Sequence, residues 1–232
     1  MRKGNAQPAL FCSISGLAAA RTKPVYDRLK VILPQRFPGL QIAFLGCPFS
    51  VNGKRKYPIP LRWSPEERAL EPTTRLLGCW ARLNQKAVTE VRPALETKDV
   101  VIVERFGLDA LLYATSRCDD ATAIAETEVL HHEMVKARIV ALRISPPRYF
   151  IPVADVRDVG NLTKAFPDLK GEDPRMLRRF MRHEHEVLKR YFEPKHGQRE
   201  PDLMPLTMSV DDMCHHIADV VGREYRESLS AS

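Results

Sequence analysis

Short apolar runs alternate with longer helical stretches along the chain, and this alternation constrains the fold more than any other feature. Five apolar runs predict strands: Ala9–Ile14, Leu40–Leu45, Val100–Val103, Tyr149–Val153 and Leu203–Met208. The last two are weaker predictions because each holds an internal proline. The helical patterns between and after them lie near Pro24–Leu33, Thr73–Leu95, Ala121–Leu142, Asp173–Phe192 and Val210–Glu227. Strands that alternate with helices of this length predict crossover connections and a mostly parallel sheet covered on both faces.

The length of 232 residues and this pattern together predict a single α/β domain. We expect a three-layer sandwich around a parallel sheet of about five strands over residues 1–232, with residues 1–8 as a flexible tail. No stretch approaches the roughly 18 apolar residues that cross a bilayer, which argues against an integral membrane protein. Ligand sites of such folds lie beyond the carboxyl ends of the strands, so chemistry is expected after Ile14, Leu45 and Val103.

Net charge and cysteine content limit the binding partners and the cellular compartment that the sequence predicts. The chain has 36 basic and 29 acidic residues, a net charge of +7, which suits nucleotides, nucleic acid or an acidic protein face without choosing among them. Five cysteines without a C-x-x-C pair argue against a disulfide framework and predict a reducing, intracellular compartment. The first acidic residue is Asp27, so the N-terminus also fits an organellar targeting segment, although Ala9–Ile14 fits a core strand equally well.

The turn after the first predicted strand is where a phosphate-binding loop would lie. Such loops carry glycines whose N–H groups wrap the anion and a lysine that reaches the outer phosphates. When the chain is aligned with the motif G-x-x-x-x-G-K-[ST], the four specified positions are occupied by Ser15, Ala20, Arg21 and Thr22. An alignment that starts at Gly16 does not restore the motif either. Taken alone, these residues predict a strand-to-helix turn rather than a triphosphate site.

Histidine pairs raise the question of a metal site. The pairs are His131-His132, His183-x-His185 and His215-His216. Adjacent histidines on a helix point about 100° apart and rarely share an ion, and no cysteine or carboxylate completes a ligand set at recognisable spacing. The sequence therefore predicts no metal site, and it predicts Cys118-Asp119-Asp120 as the N-cap of the next helix, with acids in the first turn.

Three segments in the middle of the chain follow one another without a large gap. They read Arg75-Leu-Leu-Gly-Cys-Trp-Ala-Arg82, Val91-Arg-Pro-Ala-Leu-Glu-Thr-Lys-Asp-Val-Val-Ile-Val-Glu-Arg-Phe106 and Leu111-Leu-Tyr113. This order resembles the thymidylate kinase family, which carries an L-L-F-A-A-D-R helix, an I-R-P-A-L segment, a strand ending in D-R-Y, and S-S-L-A-Y-Q. Weaker matches are Gly16-Leu17, Pro48 and Met208-Ser-Val-Asp-Asp-Met213. The resemblance implies a P-loop kinase fold and a homodimer, with ATP and Mg²⁺ as cofactors if phosphotransfer survives.

The resemblance also implies roles for individual residues. By position, Arg82 and Arg105 hold the monophosphate of the acceptor nucleotide, and paired guanidinium groups suit a phosphate dianion. Glu104 would place a carboxylate near the transferred phosphate and its Mg²⁺, and Tyr113 would close over the sugar. Arg21 and Thr22 are what remains to bind the donor. Each arginine taken singly would instead predict a surface ion pair, and the shared motif is what supports a role in the site.

The chain departs from the family pattern at several positions at once. Ala18 stands at the catalytic aspartate, Gly78 at the phenylalanine that stacks on thymine, Ala114 at the base-reading glutamine and Cys47 at an acidic position. Trp80 lies two residues beyond Gly78, on another side of the helix. Because phosphoryl transfer depends on positioning and charge stabilisation, we expect a protein that has lost efficient dTMP phosphorylation and serves as a nucleotide-binding or structural subunit of a larger assembly. An active, divergent deoxynucleoside monophosphate kinase is the alternative.

A third interpretation comes from basic residues elsewhere in the chain. Four arginines at spacing i, i+3, i+4 and i+7, the arginine stripe, share one helix face: Arg175, Arg178, Arg179 and Arg182. Family members close a lid over ATP with arginines after the fourth strand, whereas Asp158–Lys170 contains none. The stripe therefore fits a replacement lid, a nucleic-acid backbone, an acidic partner or a solvated face. The basic loop Asn52–Pro60 fits a phosphate or nucleic-acid contact, or a solvated hairpin.

Overall fold

The structure, a computed structural model, has five parallel strands in one sheet of order β2-β3-β1-β4-β5. It describes residues 9–16, 19–48, 66, 69–116, 118–142, 146–155, 173–193 and 199–230, without the side chains of 19–21 and 142. The strands are β1 Leu10–Ile14, β2 Ile42–Leu45, β3 Val100–Glu104, β4 Arg148–Val153 and β5 Asp202–Pro205. The helices in these ranges are α1 Ala19–Arg36, α2 Pro72–Lys86, α3 Arg92–Thr97, α4 Gly107–Thr115, α5 Ala121–Leu142, α6 Pro174–Tyr191 and α7 Val210–Ser230.

Each face of the sheet carries its own layer of helices. Because successive side chains of a strand point to opposite faces, Cys12 and Ile14 of β1 pack in the cluster formed with α1 and α7. Phe11 lies on the other face, with Val101 and Val103 of β3, in the cluster formed with α2, α4 and α5. The predicted three-layer α/β fold with a five-stranded parallel sheet is confirmed.

The internal proline of β4 lies where the sheet needs no N–H group. β4 pairs with β1 only as far as Phe150, whose carbonyl accepts a hydrogen bond from the Ser15 amide at 3.0 Å. Alternate residues of a strand face the same neighbour, so Pro152 faces β1 beyond the end of their pairing. Pro205 is the last residue of β5, at the end of the strand order. The two prolines therefore do not interrupt the ladder. The strand predicted over Tyr149–Val153 is confirmed, whereas the strand predicted over Leu203–Met208 is confirmed only as far as Pro205, where β5 ends.

The helix predicted over Thr73–Leu95 is divided in two. A π-helical turn, Ala87–Val91, separates α2 from α3, and Pro93 lies in the first turn of α3. Proline has no N–H to donate to the preceding turn, which accounts for the change of hydrogen bonding at this point. Within the described ranges, no helix is long and apolar enough to cross a membrane.

Candidate functional site

The candidate site lies at the carboxyl ends of β1 and β3, in the middle of the sheet. From β1 the chain crosses through α1 to β2 on one side, whereas from β3 it crosses over β1 to reach β4 on the other side. Open α/β sheets bind ligands where the direction of the connections reverses in this way. The residues directly after β1 and β3 are therefore the first candidates for function.

The side chain of Asp109 connects the loops that follow these two strands. Its Oδ1 accepts a hydrogen bond from the Gly16 amide at 3.0 Å and lies 3.4 Å from Nη1 of Arg105. Its Oδ2 accepts the Phe106 amide at 3.1 Å, the bond by which an acidic residue in the first turn closes a helix N-terminus. The Ser15 hydroxyl also bonds to this carboxyl group. The carboxyl group of Asp109 thus contacts a backbone N–H of the loop after β1, a guanidinium and a hydroxyl.

Burial dominates the electrostatics of this acid. Asp109 is 4% exposed, and burial raises the pKa of its carboxyl group, while Arg105, the Ser15 hydroxyl and the amides of Gly16 and Phe106 act in the opposite direction. The network extends to Ser13, whose Oγ lies 2.7 Å from Oγ of Ser15. Hydrogen bonds to both oxygens are what a buried carboxyl group needs to remain stable away from water.

Arg105 joins the acceptor side of the predicted site to its donor side. It follows β3 with φ of 62°, which makes it the one non-glycine residue of the described ranges with positive φ. Its Nη2 donates to Oγ1 of Thr22 at 3.2 Å, and Thr22 lies in α1, the helix that follows β1. Two residues that the resemblance assigns to different substrates, Arg105 and Thr22, are therefore in direct contact.

Gly16 is required where β1 ends. Its φ is +122°, and a Cβ at this position would lie 3.0 Å from Cγ2 of Ile151 and 3.2 Å from Oε1 of Glu184. Residues with a side chain rarely adopt this φ, and the space is already filled. The buried Glu184 of α6 thus brings a second carboxyl group against the start of the loop.

The first residue of α4 is held by a buried histidine. His131 of α5 is fully buried, and its Nε2 lies 2.8 Å from the carbonyl oxygen of Gly107. Its ring lies between those of Trp80 and Tyr191, with centroids 5.7 and 5.5 Å away. This packing fixes the N-terminus of the helix that carries Asp109.

The remaining residues with an implied nucleotide role are placed in different environments. Glu104 ends β3 and is buried, and Tyr113 is half-buried on α4. Arg82 is exposed on α2, where it opposes the burial that raises the pKa of Cys79 to about 12. Arg105, by contrast, is 7% exposed, so the two arginines that the resemblance assigns to the acceptor phosphate differ in burial.

The positions that depart from the family pattern are partly in the core. Ala114 is fully buried, and its carbonyl accepts from Nε of Arg75 at 2.9 Å. Trp80 is 4% exposed, whereas Gly78 is exposed, which agrees with the expectation that the two lie on different sides of α2. Cys47 is buried beside Cys79 in the core cluster of α2.

Several predictions fall on parts that the structure does not describe. Ala18, the loop Asn52–Pro60 and the segment Asp158–Lys170 lie outside the described residues, as do the side chains of Ala20 and Arg21. The helix-cap prediction is confirmed for Asp120, whose Oδ1 accepts the amide of Thr122 at 2.8 Å. The predicted acids in the first turn are wrong, because α5 begins at Ala121, after both aspartates, and its first turn holds no acid. Across the described ranges, no group of three or more histidines, cysteines or acids is arranged to hold a metal ion.

Asp109 and Arg75 are the site residues that sequence reasoning did not find. Asp109 is the single acid within the apolar stretch Gly107–Thr115, and an acid in such a stretch is the signal that could have identified it. Arg75 is buried, and it also donates from Nη1 to the carbonyl of Leu70 at 2.8 Å. Its role is to tie α2 to the end of α4.

The chain was compared with known proteins at the level of families and of individual sequences. No protein-family model matches it, and no curated protein sequence matches it.

Proposed function

We propose that the protein is a thymidylate-kinase-like protein that has lost efficient ATP-dependent phosphorylation of dTMP and serves as a nucleotide-binding or structural subunit of a larger assembly. The observation that carries the proposal is the engagement of Asp109 with the Gly16 amide and the Arg105 guanidinium. Backbone amides of a loop and arginine forks are the groups that proteins use to bind phosphate. Here they bind a carboxyl group of the protein itself.

A phosphate at this place would meet an unfavourable electrostatic environment. It would have to displace Asp109 from Arg105, or lie beside that acid and the buried Glu184. Like charges within a few ångström repel strongly at a buried site. The replacements at Ala18, Gly78 and Ala114 add to this, because they remove the implied catalytic acid, the base-stacking ring and the base-reading amide. Efficient transfer needs all of these contacts in place at once.

Thermal unfolding with ATP–Mg²⁺ and with each deoxynucleoside monophosphate separately tests the proposal. A ligand at about 100 times its Kd stabilises the native state by about 2.7 kcal/mol, which raises the Tm of a chain of this size by roughly 5 to 10 °C. We expect no shift with ATP–Mg²⁺. A shift with a monophosphate supports the nucleotide-binding form of the proposal, and no shift with any of them supports the structural form. ATP-dependent turnover of any deoxynucleoside monophosphate contradicts both.

Substitution of Asp109 separates an acid that occupies a phosphate position from an acid that only caps a helix. Asp109→Asn removes the charge and keeps an oxygen that accepts the Gly16 amide. We expect this variant to gain affinity for monophosphates, measured as a larger Tm shift over the same variant without ligand. Asp120→Asn is the matched control, because Asp120 caps α5 from an exposed position and its loss should leave the ligand shift unchanged. Equal ligand shifts in the wild type and Asp109→Asn would show that Asp109 only caps α4.

One observation favours an active, divergent kinase as the second candidate. The hydrogen bond between Arg105 and Thr22 joins a guanidinium that the resemblance assigns to the acceptor to a hydroxyl that it assigns to the donor, and Glu104 is next in the chain. A kinase that uses Arg21 and Thr22 for the donor and a base other than thymine would fit this grouping. Its signature is turnover that disappears in Arg105→Ala while the circular dichroism spectrum stays unchanged.

A further inference from the structure

The arginine stripe lies on the face of α6 that is turned away from the rest of the molecule. The residues of α6 that are buried are Leu177, Met181, Glu184, Val187, Leu188 and Tyr191. All four stripe arginines are exposed, and at about 100° per residue they lie on the opposite side of the helix. The stripe therefore lies on the side of α6 opposite to Glu184, the residue that lies against Gly16.

Among the residues that the structure describes, most of the stripe's arginines have no acidic partner. Arg179 pairs with Asp119, and Arg190 further along α6 pairs with Glu128 at 2.8 Å. Arg175, Arg178 and Arg182, and Lys189 on the same face, form no ion pair within the part of the chain that the structure describes. Glu186 is the acid that interrupts this face. Four cations thus remain available along about 21 Å of helix, at 1.5 Å per residue.

We propose that this face of α6 binds the phosphate backbone of a nucleic acid without reading its bases. The inference does not rest on the proposed function, because the face lies on the opposite side of α6 from the buried Glu184 that reaches the Gly16 loop. Arginine matches phosphate through two parallel hydrogen bonds. A surface that reads bases would need polar or aromatic groups between the cations.

The composition of the face favours a nucleic acid over an acidic protein. Stable protein interfaces are anchored by buried aromatic and aliphatic side chains surrounded by a polar rim. Met176, 36% exposed, is the large apolar side chain that α6 exposes. Binding to a phosphate backbone needs no such anchor, because the release of counterions supplies most of the affinity. The net charge of +7 also attracts a polyanion at long range.

Salt dependence gives the expected magnitude. Four phosphate contacts predict a slope of log K against log salt of about −2.8 for a single strand and −3.6 for a duplex. Affinity should therefore fall about 50-fold to 150-fold between 50 and 200 mM salt. Removal of two of the four contacts should reduce this fall to about 7-fold to 12-fold.

Fluorescence anisotropy with a labelled oligonucleotide of about 20 nucleotides, single-stranded and duplex, tests the proposal on the full chain. Arg178→Gln with Arg182→Gln should weaken binding of the oligonucleotide at low salt and reduce the slope as above. Arg223→Gln with Arg226→Gln makes the same charge change at exposed positions of α7 and should leave the slope unchanged. Far-UV circular dichroism establishes that both variants are folded.

Three outcomes would overturn the inference. The first is no binding of the oligonucleotide at 50 mM salt, and the second is an equal effect of the α6 and α7 variants, which would show that net charge alone is responsible. The third is equally tight binding of polyglutamate of matched charge, which would point to an acidic protein face. Sequence-independent binding that weakens steeply with salt and depends on the α6 arginines supports the inference.

Discussion

Acidification should destabilise the protein through His131, which holds the start of α4. The carbonyl of Gly107 accepts a hydrogen bond from Nε2, so Nε2 carries the ring proton and Nδ1 does not. Nδ1 is buried and has no hydrogen-bond partner among the residues that the structure describes. A second proton would place a buried N–H where nothing accepts it, at the cost of desolvating a charge. Burial accordingly lowers the pKa of His131 to about 3.

The sign and size of the effect follow from this pKa. The unfolded chain binds the proton near pH 6.5, whereas the folded chain does so only near pH 3. The contribution of neutral His131 to stability is therefore complete above pH 6.5 and is lost progressively as the pH falls toward 3. Linkage gives a loss of about 2 kcal/mol between pH 7 and pH 5. Burial, Arg190 and Arg179 lower the pKa of His183 to about 4. By the same calculation, His183 adds a loss of about 2 kcal/mol.

Urea unfolding at pH 7 and at pH 5 measures the loss that is due to His131. His131→Gln keeps a side-chain N–H for the Gly107 carbonyl but has no group that titrates in this range. We expect the wild type to lose about 2 kcal/mol more than this variant between the two pH values. His215→Gln changes an exposed histidine of α7 and should retain the wild-type difference. If wild type and His131→Gln lose the same free energy, His131 is not neutral and buried in the way described, and the reasoning is wrong.

Three further substitutions test the packing around the sheet by urea unfolding. Gly222→Ala puts a Cβ 2.6 Å from Cζ of Phe37. We expect the free energy of unfolding to fall by about 1 to 2 kcal/mol, although alanine has the better helix propensity. Adding Phe37→Leu should relieve this loss. Glu224→Gln removes the charge of a buried carboxylate that pairs at 2.8 Å with Arg199, whose side chain is 55% exposed, and should cost about 1 kcal/mol; no loss would show that solvent screens this pair completely. Gly16→Ala should cost about 2 kcal/mol or more because of its positive φ, and a neutral result would contradict the conformation described for this loop.

The sheet could be predicted from the sequence because its central strands are buried on both faces. Val100–Val103 reads as a continuous β-branched run, which is typical of such strands. The helix α4 could not be predicted in the same way, because eight of its residues, Gly107–Leu112, Ala114 and Thr115, are buried. A short helix without a polar face has no amphipathic period to detect.

The periodicity of the sequence could not predict which of the site's charged residues are buried and which are exposed. Arg75 and Arg82 are seven residues apart and so lie on nearly the same face of α2, yet Arg75 is buried and Arg82 is exposed. The difference arises because the end of α4 covers Arg75, with the Ala114 carbonyl as its acceptor. Only tertiary contacts decide this, and they also decide that Asp109 faces Gly16 across 93 residues of sequence.

The strained backbone conformation of Arg105 has to be stabilised by contacts within the site. A non-glycine residue at φ of 62° costs about 1 kcal/mol or more relative to an extended conformation. The guanidinium contacts Asp109 at 3.4 Å and Thr22 at 3.2 Å, and the Arg105 amide donates to the Ile14 carbonyl at 2.9 Å. Backbone and side-chain contacts together hold the residue in this conformation. The geometry after β1 and β3 therefore depends on the protein's own acid, Asp109, with which a phosphate at this place would have to compete.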